Sequence, residues 1–170
     1  MRYAHFDIRR AAFTGGSAQG GASSYAQFGL YNNTNGAEII IIRRFDLTFG
    51  GSAQTQVLLL QGNLALTSVP VYPCYATEAL PVGLATVGTT ATQPNTNGYN
   101  IRGNASWGFG WNNNFPFAAI PAGWSFVVQQ NTADNAFFVG VLYEHILPEQ
   151  LDELRWIEAN AALLNAPNGR

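Results

Sequence analysis

The sequence contains no lysine; its eight basic residues are all arginines. They are scattered over positions 2, 9, 10, 43, 44, 102, 155 and 170 and sit in a chain of net charge -2. A protein that grips phosphate backbones gathers cations into a stripe whose counterion release drives affinity. Nucleic acid is therefore not an expected partner. One cysteine, Cys74, excludes an intramolecular disulfide, and between Pro73 and Tyr75 it reads as a small buried hydrophobe rather than a nucleophile. No apolar run approaches the length needed to cross a bilayer as a helix, so no membrane span is expected. The opening "MRYAHFDIRRAAF" alternates charged and apolar residues without an apolar core, so it does not read as a secretion signal. The glycosylation triplets at Asn32 and Asn104 then carry no meaning, since they need a secretory route.

Histidine is equally scarce, at positions 5 and 145 only. The spacings GxSxG, HExxH, GxxxxGK and CxxC are all missing, so neither histidine is tied by pattern to a nucleophile, a metal set or a phosphate loop. Glu144 and His145 are neighbours on an expected strand and point to opposite faces, so they do not serve one ligand together. The expectation is a chain with no catalytic centre, no cofactor and no metal.

What is present is β-grammar. At 170 residues the chain fits one domain, which would bury about 70% of its unfolded surface and needs no covalent staple. Residues 1–24 hold a possible short strand followed by "TGGSAQGGASS", a run of small residues that reads as a flexible arm and joint. Such an arm could carry "YAHFDI" to the sheet edge of a neighbouring subunit. Strand-like segments follow over 25–147: "YAQFGLY", turned by "NNTNG"; "AEIIIIRRFDLTFG"; "QTQVLLLQGNLAL", with Gly62-Asn63 as a bulge or turn; and "YNIRGNASWGFGW". Between Ser68 and Asn97, prolines at 70, 73, 81 and 94 forbid long central strands and predict an irregular excursion. Strands separated by turns with no helix between them are the pattern of an antiparallel β-sandwich, jelly-roll-like in its mainly β character.

After residue 147 the period changes. Leu147, Leu151, Leu154, Ile157, Ala161 and Leu164 recur at helical steps, Pro148 suits the first helical position, and Pro167 with Gly169 ends the pattern. Residues 148–170 thus read as an amphipathic helix and tail. Leu151, Leu154 and Ile157 form the stripe for the chain's own sandwich, and Trp156, about a hundred degrees from Ile157, widens it toward a partner.

Two further groups invite a binding role. Trp107, Phe109 and Trp111 in "WGFGW" alternate with glycine and would share one sheet face, as a row that stacks on sugar rings or as core against the opposite sheet. Arg43 and Arg44, adjacent on an expected strand, would put one charge on each side of an apolar sheet, and each needs a carboxylate or water. Either the strand leaves the core there, or one arginine pairs with an acidic group of another subunit.

The segment from Pro121, "PAGWSFVVQQNTADNAFFVGVLYEHIL", resembles the closing strands of small β-sandwich structural proteins of tailed bacteriophages. In those a "P-x-G-W/T" entry, a "V-x-N-x-T" strand, an "N-A" turn and a final strand ending in an aromatic-Glu pair recur. The resemblance covers about the last third of the sandwich, and the helix after Glu144 departs from it. It implies a non-enzymatic virion protein, made in the host cytoplasm, that decorates or cements a capsid. It also implies a homo-oligomer, with a trimer favoured, and the major capsid protein or another virion protein as partner. A carbohydrate-recognition module, a lectin or the host-binding part of a fibre, is the alternative expectation.

Overall fold

The computed structural model describes residues 8–36, 38–49, 55–75, 82–92, 99–105, 108–112 and 117–150; of residues 8, 49, 99–105 and 108–112 it describes the backbone alone. In chain order the strands are β1 (Ala11–Gln19), β2 (Tyr25–Tyr31), β3 (Ile39–Phe49) and β4 (Thr55–Gln61). Then come β5 (Thr67–Val69), β6 (Val71–Pro73), β7 (Leu84–Thr90) and β8 (Tyr99–Ala105). The last four are β9 (Gly108–Asn112), β10 (Ala118–Ile120), β11 (Trp124–Gln130) and β12 (Ala136–Ile146). They form two antiparallel six-stranded sheets, so the chain is mainly β, as its turn-separated strand segments predict. The first sheet runs β10-β3-β12-β1-β6 with β9 also on the edge of β3, and the second runs β5-β7-β2-β11-β4-β8.

The largest departure from the sequence reading is at the N-terminus. Ala11–Gln19, expected as part of a flexible arm and joint, is a strand held between β12 and β6, in continuous register from Ala11 opposite Glu144 to Gln19 opposite Ala136. Its glycines mark close approach rather than looseness: a Cβ on Gly15 would meet the Val139 carbonyl oxygen at 2.5 Å, and one on Gly16 would press on Val87 at 3.2 Å. Long-range ladder bonds supply the order that the side chains do not. The turn itself is confined to the residues after β1, where Gly20 N–H donates to Asn135 O and Ser24 N–H to Gly21 O. Among the described residues the first strand of the sandwich is thus Ala11–Gln19, ahead of the expected boundary at residue 25.

The proline-rich excursion also contains strands. β6 ends at Pro73 and lies at the edge of its sheet, where a missing N–H is tolerated. β5 and β7 extend the other sheet beside β2.

The core lies between the sheets. Phe28, Leu30, Val57, Phe126 and Val128 of the second sheet meet Ile40, Ile42, Phe45, Leu47, Val139, Val141 and Tyr143 of the first, all buried. Phe45 and Phe126 join the layers edge-on, ring centroids 5.3 Å apart, and Phe117 sits within 6.1 Å of both. Asn32 is fully buried and ties three segments together. Its Nδ2 donates to Glu38 O and Ile120 O, and its Oδ1 accepts from Thr34 N–H and Oγ1–H.

β3 changes phase midway. Ile40 and Ile42 face the core, but the next core residues are Phe45 and Leu47, because Arg43 is an extra residue where the register with β12 slips. Arg44 lies opposite Leu142, and Arg43 hydrogen-bonds Glu144 two residues further along β12, so both arginines are on the outer face. The expectation of one charge on each side of the sheet fails because a bulge, not plain alternation, spans that pair.

Tyr143, fully buried, donates its hydroxyl hydrogen to Val82 O at 2.7 Å, and burial pushes its phenol well above the usual tyrosine range. The folded chain keeps a proton there that the unfolded chain loses above pH 10 or so, so stability falls as pH rises past that value. An ultraviolet titration of the native protein is expected to leave one tyrosine un-ionised until alkaline unfolding. Ionisation of every tyrosine in a still-folded protein would contradict this placement.

Candidate binding groove

The outer faces of the two sheets differ. On the second sheet, Leu64 of the β4–β5 connection packs on Leu58, Leu60 and Val127, filling the space left by Gly29, where a Cβ would meet its Cδ1 at 3.1 Å. Beside that patch, Gln27, Gln129 and Gln56 are linked across three strands by amide hydrogen bonds. This face is covered.

Among the described residues, the outer face of the first sheet carries three exposed aromatic side chains: Phe13 (49%), Tyr72 (50%) and Phe138 (57%). Phe13 and Tyr72 stand opposite each other on β1 and β6, and their rings stack with centroids 5.3 Å apart at 22°. The next row across the sheet is Gly15, Gly140, Asp46 and Gly110. Three of its four positions have no Cβ, so the row is a trench. One wall is built from Phe13, Leu142 and Arg44, and Phe138 stands on the other side. The resulting groove has a volume of about 610 Å³, within the usual range for small-ligand sites.

The polar end of the trench is an ion pair. Arg44 Nε donates to Asp46 Oδ2 at 2.7 Å, with both side chains about half exposed. Arg43 differs: its guanidinium lies against the almost fully buried Glu144 and is itself only 11% exposed. The carboxylates that these two arginines require thus come from the same chain.

The other singled-out residues lie apart from the groove. His145 Nδ1 is 2.6 Å from Glu38 Oε2, while Glu144 turns to the outer face, so the two neighbours do diverge. Cys74 is partly buried, which pushes its thiol pKa up and disfavours the reactive thiolate. Among the described residues no three His, Cys, Asp and Glu side chains converge on a point, and no helix is long and apolar enough to cross a membrane. The register sets Phe109 opposite Leu47 and Trp111 opposite Phe45, both core residues. Trp107 and His5 lie outside the described residues, as do Leu151, Leu154, Trp156 and Ile157. Of the expected helix, residues 148–150 are described and are helical, with Gln150 Oε1 accepting from Leu147 N–H in the manner of a capping box.

The sequence reading missed Phe13, Tyr72, Phe138 and Asp46. A signal was present: the pattern Phe-x-Gly occurs at 13–15 and again at 138–140, and the pairing of Gly15 with Gly140 turns the repeat into a trench. Without the register, each copy is only a strand with a glycine in it.

Chemically, the site can pack apolar surface against its half-exposed aromatic side chains and hydrogen-bond polar groups at Arg44 and Asp46. The fold places the chain in the class of mainly β proteins built of two antiparallel sheets. No protein-family model, curated protein or solved structure matches the chain.

Proposed function

We propose that this chain is a non-enzymatic structural protein of a tailed-bacteriophage virion, a capsid decoration or cement protein with a jelly-roll core. The strand order carries the reading. Taken without β5, β6 and β7, one sheet is β10-β3-β12-β1 and the other β2-β11-β4-β8. The chain then visits the first sheet with β1, β3, β9–β10 and β12, and the second with β2, β4, β8 and β11. This order supports the reading of two Greek keys wrapped into a double-sheet jelly roll, an architecture used by viral capsid proteins and lectins. On this reading β5–β7 are an insertion between the fourth and fifth strands.

The phage-like segment from Pro121 to Leu147 supplies β11 and β12, each an interior strand of its sheet. A substitution of the whole segment would remove the centre of both layers. The protein works through its surfaces, as an oligomer, with a trimer favoured, bound to the major capsid protein.

Shells assembled from the major capsid protein of the virus that encodes this chain test the idea. The chain is expected to sediment with them to saturation at a fixed ratio and to show a trimer mass by light scattering. A monomer that stays in the supernatant at every concentration would overturn it. Carbohydrate recognition is the second reading, favoured by the aromatic trench.

A further inference from the structure

We propose that the trench on the outer face of the first sheet binds a neutral oligosaccharide. The proposal stands independently of attachment to a capsid, and its site is not the "WGFGW" row. A pyranose ring presents an apolar C–H face and an edge of hydroxyls. The groove offers the matching pair: half-exposed aromatic side chains at Phe13, Tyr72 and Phe138, and an exposed donor and acceptor at Arg44 and Asp46. Because Asp46 compensates the charge of Arg44, the site has no net charge of its own to select an anion.

Shape points the same way. From Tyr72 on β6 across β1 and β12 to Arg44 on β3 there are three strand spacings, about 14 Å. Phe138 and Leu142, four residues apart on β12, set walls about 13 Å apart between Cα atoms. That is a trench for a short linear chain, floored by glycines, with a ring stack at one end and the ion pair at the other.

A second copy of the protein fits less well. Three half-exposed aromatic side chains offer roughly 300 Å² in all, so a seam centred on them would have to draw most of the about 800 Å² per partner of a stable interface from other residues. A dimer seam is also expected to be flat or protruding, not hollowed along a row without Cβ atoms.

The test uses the full chain on a microarray of neutral oligosaccharides that includes cello-, malto-, laminari- and chitohexaose, with titration calorimetry on whichever binds. At least one is expected to bind, and Phe13→Ala and Tyr72→Ala are each expected to weaken it at least tenfold. The decisive variant is Gly140→Leu. A Cβ at Gly140 meets no atom within 4 Å, so the new side chain enters the trench without disturbing the core. It should abolish binding with the melting temperature unchanged. Phe13→Ala and Tyr72→Ala give the same answer should Gly140→Leu fail to fold. Binding to none of the glycans, or binding that survives a folded Gly140→Leu, overturns the proposal. So does a self-association seen by sedimentation that the same variant removes, with no glycan bound.

Discussion

Phe126→Ala is expected to cost about 3–5 kcal/mol of folding stability, the range for removing a buried aromatic ring. Phe126 is fully buried and meets both Phe45 and Phe117 edge-on, so its ring is the contact through which the two sheets lock. Truncation removes the burial of the ring and leaves a cavity that the flanking strands cannot close, because β2 and β4 pin β11 on both sides. Urea unfolding is the measurement: the midpoint should fall steeply while the slope holds. A loss below about 1.5 kcal/mol, the level of a mild core trim, would mean that the sheets are not locked there.

The second large effect is at the bulge. Arg43→Ala is expected to destabilise the chain by about 1.5–3 kcal/mol, because it removes a charge-assisted hydrogen-bond partner from the carboxylate of Glu144, which is only 2% exposed. Arg44→Ala, one residue along, is expected to cost between about 0 and 1 kcal/mol, since that pair is half exposed. Paired thermal or urea melts of the two variants check the contrast. Equal losses would contradict the assignment of Arg43, and not Arg44, as the arginine whose partner is buried.

That contrast shows where sequence reasoning reached and where it stopped. β-branched and aromatic runs bounded by turn residues were enough for β2, β3, β4, β11 and β12. Alternation then misplaced Arg43 and Arg44, since a single inserted residue reverses the phase and leaves the composition unchanged. β1 was hidden for another reason. Phe13, Gly15 and Ser17 on its outer face carry little apolar pattern, and its order comes from β12, more than a hundred residues away in the chain. The trench was invisible on the same ground: Gly15 and Gly140 become a floor only when the register sets them side by side. The strand order that underlies the proposed jelly roll also depends on pairings between strands distant in sequence, such as β1 with β12 and β2 with β11.

The most direct test of the proposed virion role is an electron cryo-microscopy map of the phage particle produced from the genome that encodes this chain. On the proposed function, density is expected on the capsid shell into which the two six-stranded sheets fit as oligomers, with the chain contacting the major capsid protein. A complete map in which every capsid and tail density is filled by other proteins, leaving no place for this sandwich, would contradict it.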